Sequence, residues 1–317
     1  MAVILDLVSA IAQMLLVLLL APLLTGIVRK VKARLTRRQG PPLLQPYRNL
    51  ARLFRKEAVL AENASWLFRA APYLVFALTW VAAGLVPTVA VDRPFALAAD
   101  FIALIALLAS ARFFLALAGL DVGTSFGGIG ASREVMIASL AEPAMLMIIF
   151  SIALIAGSTN LSAIARFMAS HLDIEASLAL ALVGFIMVAI AENARIPVDN
   201  PATHLELTMV HEAMVLEYSG RHLALIEWAA SLKLVLYVSL LACVFAPWGI
   251  TEFGAGVSAE ATALISYLGK LVLGGALLAF FEVSIAKMRV FRVPEFLGAA
   301  LMLGLLATLL QLVVRSL

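Results

Sequence analysis

The chain has 317 residues, of which 63% are hydrophobic and only 14% are charged. A mean hydropathy of +1.04 excludes an ordinary soluble globular domain. The net charge of +3 does not indicate nucleic-acid binding, because the basic residues cluster at the ends of apolar stretches, as membrane orientation requires. Composition therefore predicts an all-α polytopic membrane protein.

The chain contains a single cysteine, Cys243, which excludes an internal disulfide and a cysteine-ligated cluster. No cofactor is expected in this chain, and any redox centre is expected in partner subunits. The first apolar stretch is not followed by a small-residue cleavage site and a soluble domain. It is therefore predicted to be a retained membrane span.

Eight stretches are long and apolar enough to cross a hydrocarbon layer of roughly 30 Å as helices. They are residues 3–28, 73–91, 97–120, 135–156, 174–191, 223–246, 261–281 and 296–314. The loops predicted on one side are residues 29–71, 121–134, 192–222 and 282–295. The whole chain, residues 1–317, is predicted to form one membrane domain.

The first of these loops is strongly basic. Pro46 can start a helix with an apolar stripe of Tyr47, Leu50, Phe54 and Ala58 opposite Arg48, Arg52, Arg55 and Lys56. Such a pattern predicts an amphipathic helix in the membrane surface, and a solvated basic loop is the alternative. Most lysines and arginines outside the spans lie on this side, against Arg93, Arg166 and Arg315 on the other. This side is predicted to be cytoplasmic, with both termini outside.

The glycine-rich stretch at residues 119–130 lies between the third and fourth spans. It has no lysine-serine ending and does not open a strand-helix unit, so a phosphate-binding loop is not predicted. Close packing of the backbone is the expected role of these glycines.

Residues 192–220 form the long polar interruption of the downstream chain. Pro197 and Pro201 break the helix there. Thr203 and Glu206 have the spacing of a capping box that opens a short helix, and Gly220 is predicted to close it.

Two histidines of this stretch, His204 and His211, are seven residues apart, which is about two helical turns. They lack the spacing of a zinc-protease motif, so hydrogen bonding is favoured over a metal site. No serine-histidine-acid set is found either. The sequence therefore predicts no catalytic centre within this chain.

Charged residues inside or at the ends of the predicted spans are the most informative feature, since each costs several kcal/mol unless it is paired or hydrated. They are Asp100, Arg112, Glu142, Glu192, Glu227, Lys233, Lys270 and Glu282. As a set they predict a hydrated proton path. For any single residue a structural ion pair is the alternative, for instance Glu227 with Lys233.

Several motifs together resemble the H-type membrane subunit of respiratory complex I and of membrane-bound nickel-iron hydrogenases, the complex I subunit 1 family. The resemblance covers nearly the whole chain. The motifs are Arg37-Arg38-Gln39-Gly40-Pro41, Leu44-Gln45-Pro46, Lys56-Glu57, the pair Arg133 and Glu142, the set Glu192, Arg195, Pro197, Asp199, Pro201, Glu206 and Leu207, and Glu217-Tyr218-Ser219-Gly220.

The central stretch departs from the quinone-using members of that family. Phenylalanine is normal there at the position of Val198, and acidic residues are normal at Ala202 and His204. The interval between Glu206 and Glu217 is also about one helical turn longer. Residues 203–212 instead resemble the form found in energy-converting hydrogenases, whereas formate hydrogenlyase subunits are similar in overall plan.

The resemblance implies an anchor in the inner membrane that docks hydrogenase-like large and small subunits and an iron-sulfur subunit, beside antiporter-like membrane subunits. Iron-sulfur clusters and nickel-iron would belong to those partners. A path for protons or sodium would use Glu142, Glu192, Glu206, Glu212, Glu217, Glu227, Lys233 and Lys270. Coupling and subunit contacts would use Arg133, Arg195, Asp199, His204, His211 and Tyr218. The alternatives are a quinone-site subunit of an NADH:quinone oxidoreductase-type complex and a purely structural anchor.

Overall fold

The computed structural model describes residues 2–91, 99–170, 175–199, 209–286 and 288–316. Their helices are α1 Ala2–Leu35, α2 Gln45–Phe54, α3 Trp66–Leu85, α4 Phe101–Asp121, α5 Ser125–Ala156, α6 Leu161–Ser170, α7 Ala176–Glu192, α8 His211–Val215, α9 Gly220–Phe245, α10 Val257–Ser284 and α11 Val293–Ser316. Two short strands, β1 Ala90–Val91 and β2 Thr251–Glu252, pair in parallel.

The predicted all-α membrane architecture is confirmed. Among the described residues, seven helices are long and apolar enough to cross a membrane: α1, α3, α4, α5, α9, α10 and α11. The remaining predicted span corresponds to α7, which is apolar but has only 17 residues. Trp66 and Trp248 are strongly exposed near opposite ends of the bundle, where aromatic residues commonly mark the two membrane interfaces.

The helices pack in an order that places the polar stretch against the bundle. α1 contacts α9 and α10, α3 packs on α4 and α9, and α5 contacts α4, α7 and α11. We call the side that holds the end of α1 and residues 193–199 and 209–219 the basic side. Val198 and Val210 are buried there with Ile137 and Leu297. The described part of the central stretch is therefore folded into the protein.

The start of α5 differs from the prediction. Only residues 122–124 separate α4 from α5, so the predicted loop at 121–134 is wrong over most of its length. Thr124 caps the helix by accepting a hydrogen bond from the Gly127 amide at 3.3 Å. The prediction failed because a run of glycine and serine has low helix propensity, which packing against neighbouring helices overrides.

Two further differences concern the side of the membrane opposite the basic side. Asp100 is not inside a span: it caps α4 by accepting a hydrogen bond from the Ile102 amide at 2.7 Å. The short helix α6, which was not predicted, follows the α5 helix on this side. Its neighbour Thr159 donates a hydrogen bond to Asp100 at 2.5 Å.

The glycines at residues 119–130 allow close helix packing, as predicted. A Cβ atom at Gly127 would lie 2.1 Å from the carbonyl oxygen of Gly119. A Cβ atom at Gly130 would lie 2.9 Å from the carbonyl oxygen of Val210, just before α8. These glycines therefore hold α4, α5 and α8 together on the basic side.

Replacing Gly127 with alanine is expected to destabilise the protein, because the added methyl group would force α4 and α5 apart. The expected cost is about 1–3 kcal/mol, measured as a lower thermal midpoint of the purified protein. Gly128 is the matched control, since a Cβ atom there meets nothing within 4 Å. An equal loss in Gly127→Ala and Gly128→Ala would contradict the packing role.

Only the second part of the helix predicted within residues 203–220 lies among the described residues. Thr203, His204 and Glu206 lie outside the described residues, and the described helix α8 has only five residues. Gly220 does not close it: Gly220 begins α9, with a left-handed φ of 52°. A Cβ atom at Gly220 would lie 2.5 Å from the carbonyl oxygen of Glu57, so the packed position itself favours glycine.

The predicted amphipathic helix of the first loop is present as α2. Pro46 and Leu50 are buried against the bundle, whereas Arg48, Arg52 and Arg55 are exposed. The helix contacts α1 and α9.

Candidate functional site

A buried arginine on α4 is the centre of an ionic cluster. Only 6% of the Arg112 side chain is exposed, and it contacts Glu192 at the end of α7. Its Nε lies 3.3 Å from Oε1 of Glu134, and its Nη1 lies 3.6 Å from Oε1 of Glu142. Both of these glutamates are on α5. One guanidinium group is therefore shared by three carboxylates from two helices.

Lys233 of α9 brings a second cation to the cluster. Its Nζ lies 2.9 Å from Oε2 of Glu192, so Glu192 is shared between Arg112 and Lys233. The alternative pairing of Lys233 with Glu227 is wrong, because Glu227 is exposed on α9 and faces Arg29 and Arg52. Four helices thus meet through one set of charges.

The cluster contains three carboxyl groups, one guanidinium group and one amine. Two opposite charges about 4 Å apart interact by about 4 kcal/mol at an effective dielectric constant of about 20. A change of charge at one member therefore alters the energy of every other member. Removing a single buried partner is costly, because the remaining charges lose their compensation.

A small cavity, lined in part by polar side chains, adjoins the cluster on the basic side. Its volume is about 80 Å³, and its polar lining residues are Thr79, Arg112, Glu134, Glu192, Asn193, His211 and Lys233. A water molecule occupies about 30 Å³ in the liquid, so the cavity has room for about two to three waters. Such waters could connect groups that are too far apart for direct hydrogen bonds.

His211, the first residue of α8, faces this cavity. Burial lowers the pKa of His211, and the positive charge of Lys233 lowers it further, against the opposing effects of Glu134 and Asp199. The His211 amide donates a hydrogen bond to Oδ2 of Asp199 at 3.4 Å. The imidazole is therefore expected to be neutral near pH 7.

The lowered pKa of His211 predicts a specific sensitivity to acid. The folded state binds a proton at His211 less readily than the unfolded state. Neutral His211 therefore makes its full contribution to the free energy of unfolding above about pH 6.5. That contribution is lost as the pH falls through the folded-state pKa. We expect His211→Gln to weaken the fall of the thermal midpoint between about pH 6.5 and pH 5. A midpoint that falls equally steeply in both proteins would contradict the prediction.

A second ionic cluster lies at the start of the central stretch. Glu282 of α10 is buried, and its two carboxylate oxygens contact Lys32 of α1 at 2.8 Å and Arg195 at 3.2 Å. Burial lowers the pKa of Arg195, and the charge of Glu282 opposes that effect. Because Arg195 follows Glu192 by three residues, one tight turn joins the two clusters.

The same turn is also fixed by its backbone. The Arg195 amide donates to the Ile190 carbonyl, and the Arg195 carbonyl accepts from the amides of Val198 and Asp199. The Met288 amide donates to the Pro197 carbonyl at 3.0 Å, which ties the turn to the connection before α11. Residues 192–199 are thus held from α4, α9 and α10.

Several other predicted contact residues have structural partners on the basic side. Arg133 donates a hydrogen bond to the carbonyl oxygen of Met209 at 2.8 Å. Tyr218 stacks on Phe68 with ring centroids 4.0 Å apart and donates to the Phe68 carbonyl oxygen at 2.9 Å. Burial raises the pKa of Tyr218. Its hydroxyl is therefore a hydrogen-bond donor at every physiological pH.

The remaining residues of the predicted path are not brought together. Glu212 is half-buried on α8, and Glu217 is exposed on the surface. Lys270 lies on the opposite side of the membrane, where it donates hydrogen bonds to the carbonyl oxygens of Ala246 and Trp248. Of the described candidates, only Glu142, Glu192 and Lys233 share one cluster.

Sequence analysis did not select Glu134, and it included Arg112 in the charged set of the predicted path without identifying it as the centre of a cluster. Glu134 was missed because it fell in the predicted loop before the fourth span. Once α5 is known to begin at Ser125, Glu134 and Glu142 are eight residues apart on one helix. Both can then reach the same guanidinium group.

The fold and the site define a class of protein. It is a multi-pass membrane protein in which a folded polar stretch packs against a buried ionic cluster. The family model for NADH dehydrogenase matches residues 8–313. The chain belongs to this family, the NADH dehydrogenase subunit 1 family. It is therefore a membrane subunit of the kind found in complex I-like complexes.

Two curated relatives cover most of the chain. Formate hydrogenlyase subunit 4 from Escherichia coli (strain K12) is 37% identical over 298 residues, which cover 93% of this chain and 95% of that protein. Hydrogenase-4 component C from the same organism is 36% identical over 280 residues, which cover 88% of each chain.

A solved structure has the same fold. It is a chain of the membrane-bound sulfane sulfur reductase, described as an archaeal respiratory membrane complex. The TM-score is 0.81 at 18% sequence identity, and the match covers 96% of this chain and 99% of that chain.

Proposed function

We propose that this chain is the membrane anchor and coupling subunit of a complex I-like energy-converting hydrogenase. The similarity to formate hydrogenlyase subunit 4 and hydrogenase-4 component C supports this assignment. The basic side would face the cytoplasm and dock the hydrogenase-like large and small subunits and an iron-sulfur subunit. The chain would lie in the inner membrane with both termini outside.

The observation that carries the coupling role is the continuous ionic cluster between the central stretch and the outer face of α5. It begins at the turn that holds Glu192 and Arg195, and it reaches Glu142 through Arg112. Residues on both ends of this connection belong to the same ionic network, and Arg112 at its centre is buried. A charge change near the turn therefore has a direct electrostatic route into the membrane.

Glu142 also indicates where the ion would leave this chain. Its side chain is 37% exposed in the middle of α5, although a carboxylate that faces lipid within a span costs several kcal/mol. A neighbouring antiporter-like membrane subunit would cover this face and continue the path. The ion path would therefore be completed by the neighbouring subunit and would not lie within this chain alone.

In this mechanism the residues of this chain bind, orient and move charge, and the redox chemistry belongs to the partners. Glu134, His211 and the cavity waters would take up a proton or respond to a charge on the docked arm. Arg112 would redistribute its contacts among Glu134, Glu192 and Glu142. Because the cluster has three carboxyl groups and only two basic groups, a mobile proton would neutralise excess negative charge.

The assignment is tested by purifying the intact complex in mild detergent and assaying hydrogen evolution from a reduced low-potential donor. Metal content is determined on the same sample. Nickel together with hydrogen evolution is the expected result. Iron without nickel or hydrogen would assign the chain to another oxidoreductase with the same membrane module, and quinone reduction blocked by a quinone-site inhibitor would assign it to a quinone-using complex.

A further inference from the structure

A strongly basic surface lies at the end of α1 and on α2. No acidic residue occurs between Asp6 and Glu57, and this interval contains Arg29, Lys30, Lys32, Arg34, Arg37, Arg38, Arg48, Arg52, Arg55 and Lys56. Lys32 is already paired with Glu282. The acidic residue that faces the surface from α9 is Glu227, near Arg29 and Arg52. The surface therefore keeps a large excess of positive charge.

The contacts of α2 with α1 show the depth at which this helix lies. Leu43, just before α2, is against Gly26, and the Tyr47 hydroxyl donates to the carbonyl oxygen of Leu19. Gly26 precedes Arg29 by about 4.5 Å along the helix axis, and Leu19 precedes it by about 15 Å. The helix thus lies beside the last apolar turns of α1, just inside the basic end of that span.

The exposed side of α2 combines two chemistries. Arg48, Arg52 and Arg55 are exposed, and Leu44, one helical turn before Arg48, is also exposed, by 55%. An apolar side chain next to guanidinium groups suits the boundary between acyl chains and headgroups better than an aqueous protein interface.

We propose that Arg48, Arg52 and Arg55 bind the headgroups of anionic phospholipids in the leaflet on the basic side. A guanidinium group can donate two parallel hydrogen bonds to a phosphate, and the negative surface of such a leaflet attracts nearby basic residues. Leu44 contacts the acyl chains below. This site is independent of the proposed coupling role, because it lies on α2 and uses no member of the Arg112 cluster.

The test measures phospholipid binding to the purified complex in detergent by native mass spectrometry, with phosphatidylglycerol and phosphatidylcholine as probes. The combined variant Arg48→Gln, Arg52→Gln and Arg55→Gln is expected to weaken phosphatidylglycerol binding by at least about tenfold and to leave phosphatidylcholine binding unchanged. The combined variant Arg34→Gln, Arg37→Gln and Arg38→Gln removes the same charge at exposed positions before α2, at the end of α1 and just after it. It is expected to retain binding.

Equal binding of the two lipids, or an equal loss in both combined variants, would overturn the proposal. Loss of the docked soluble subunits with unchanged phosphatidylglycerol binding would also overturn it, because the surface would then serve a protein partner. If the α2 variant does not assemble, the three single substitutions are measured separately. Each is expected to weaken phosphatidylglycerol binding by about fivefold, and no change in any of them would contradict the site.

Discussion

Replacing Arg112 with alanine is expected to be the most damaging single change in the protein. The substitution would leave Glu134, Glu142 and Glu192 without the guanidinium group that they share. Breaking a buried ion pair by removing one partner costs about 3–5 kcal/mol. We expect a large loss of assembled complex in the membrane and a lower thermal midpoint of the remainder.

Two variants make this prediction specific. Arg221→Ala removes an exposed arginine at the start of α9 and is expected to assemble normally. Arg112→Lys keeps the charge but cannot reach three carboxylates in the same way, so intermediate assembly is expected. Normal assembly of Arg112→Ala would show that the cluster contributes little to the fold.

The second large effect is expected for Glu192→Gln, which changes charge with little change in shape. Glu192 is the shared partner of Arg112 and Lys233, so its neutralisation leaves Lys233 without its observed carboxylate partner. We expect ion translocation in proteoliposomes to fall by about tenfold, a change in barrier of about 1.4 kcal/mol. Hydrogen evolution by the detergent-solubilised complex is expected to continue.

A matched control for this variant is Glu260→Gln, near the start of α10 on the opposite side of the membrane. It removes the same charge far from the central stretch and is expected to leave translocation unchanged. Equal translocation by Glu192→Gln and the unmodified complex would remove Glu192 from the path.

The membrane architecture was largely predictable, because it is determined mainly by local features of the sequence. Long apolar runs set the membrane helices, and prolines with polar residues set the break after Glu192. The start of α5 was not predictable, because Gly119, Gly127 and Gly130 become helical or close-packed only when α4, α5 and α8 meet. That error also hid Glu134, which the sequence pattern placed in a loop.

The composition of the site depended on packing that sequence spacing does not show. The sequence indicated Arg112, Glu142 and Glu192 as charges at spans, but it did not indicate that Arg112 contacts both glutamates. Arg112 joins them only because α4 lies between α3 and α5 and its side chain points toward α7. Lys270 was also predicted to belong to the path, but it does not join the cluster. Its partners are backbone carbonyl oxygens on the side of the membrane opposite the basic side.

The central claim is that the Arg112 cluster carries charge from the central stretch to Glu142. Its most direct test is the number of ions moved per hydrogen molecule formed by the intact complex in proteoliposomes, compared between Glu142→Gln and Glu217→Gln. Glu217 is exposed, whereas Glu142 contacts Arg112. The account predicts a strongly reduced ratio for Glu142→Gln and an unchanged ratio for Glu217→Gln. An unchanged ratio for Glu142→Gln, with hydrogen evolution at the full rate, would contradict it.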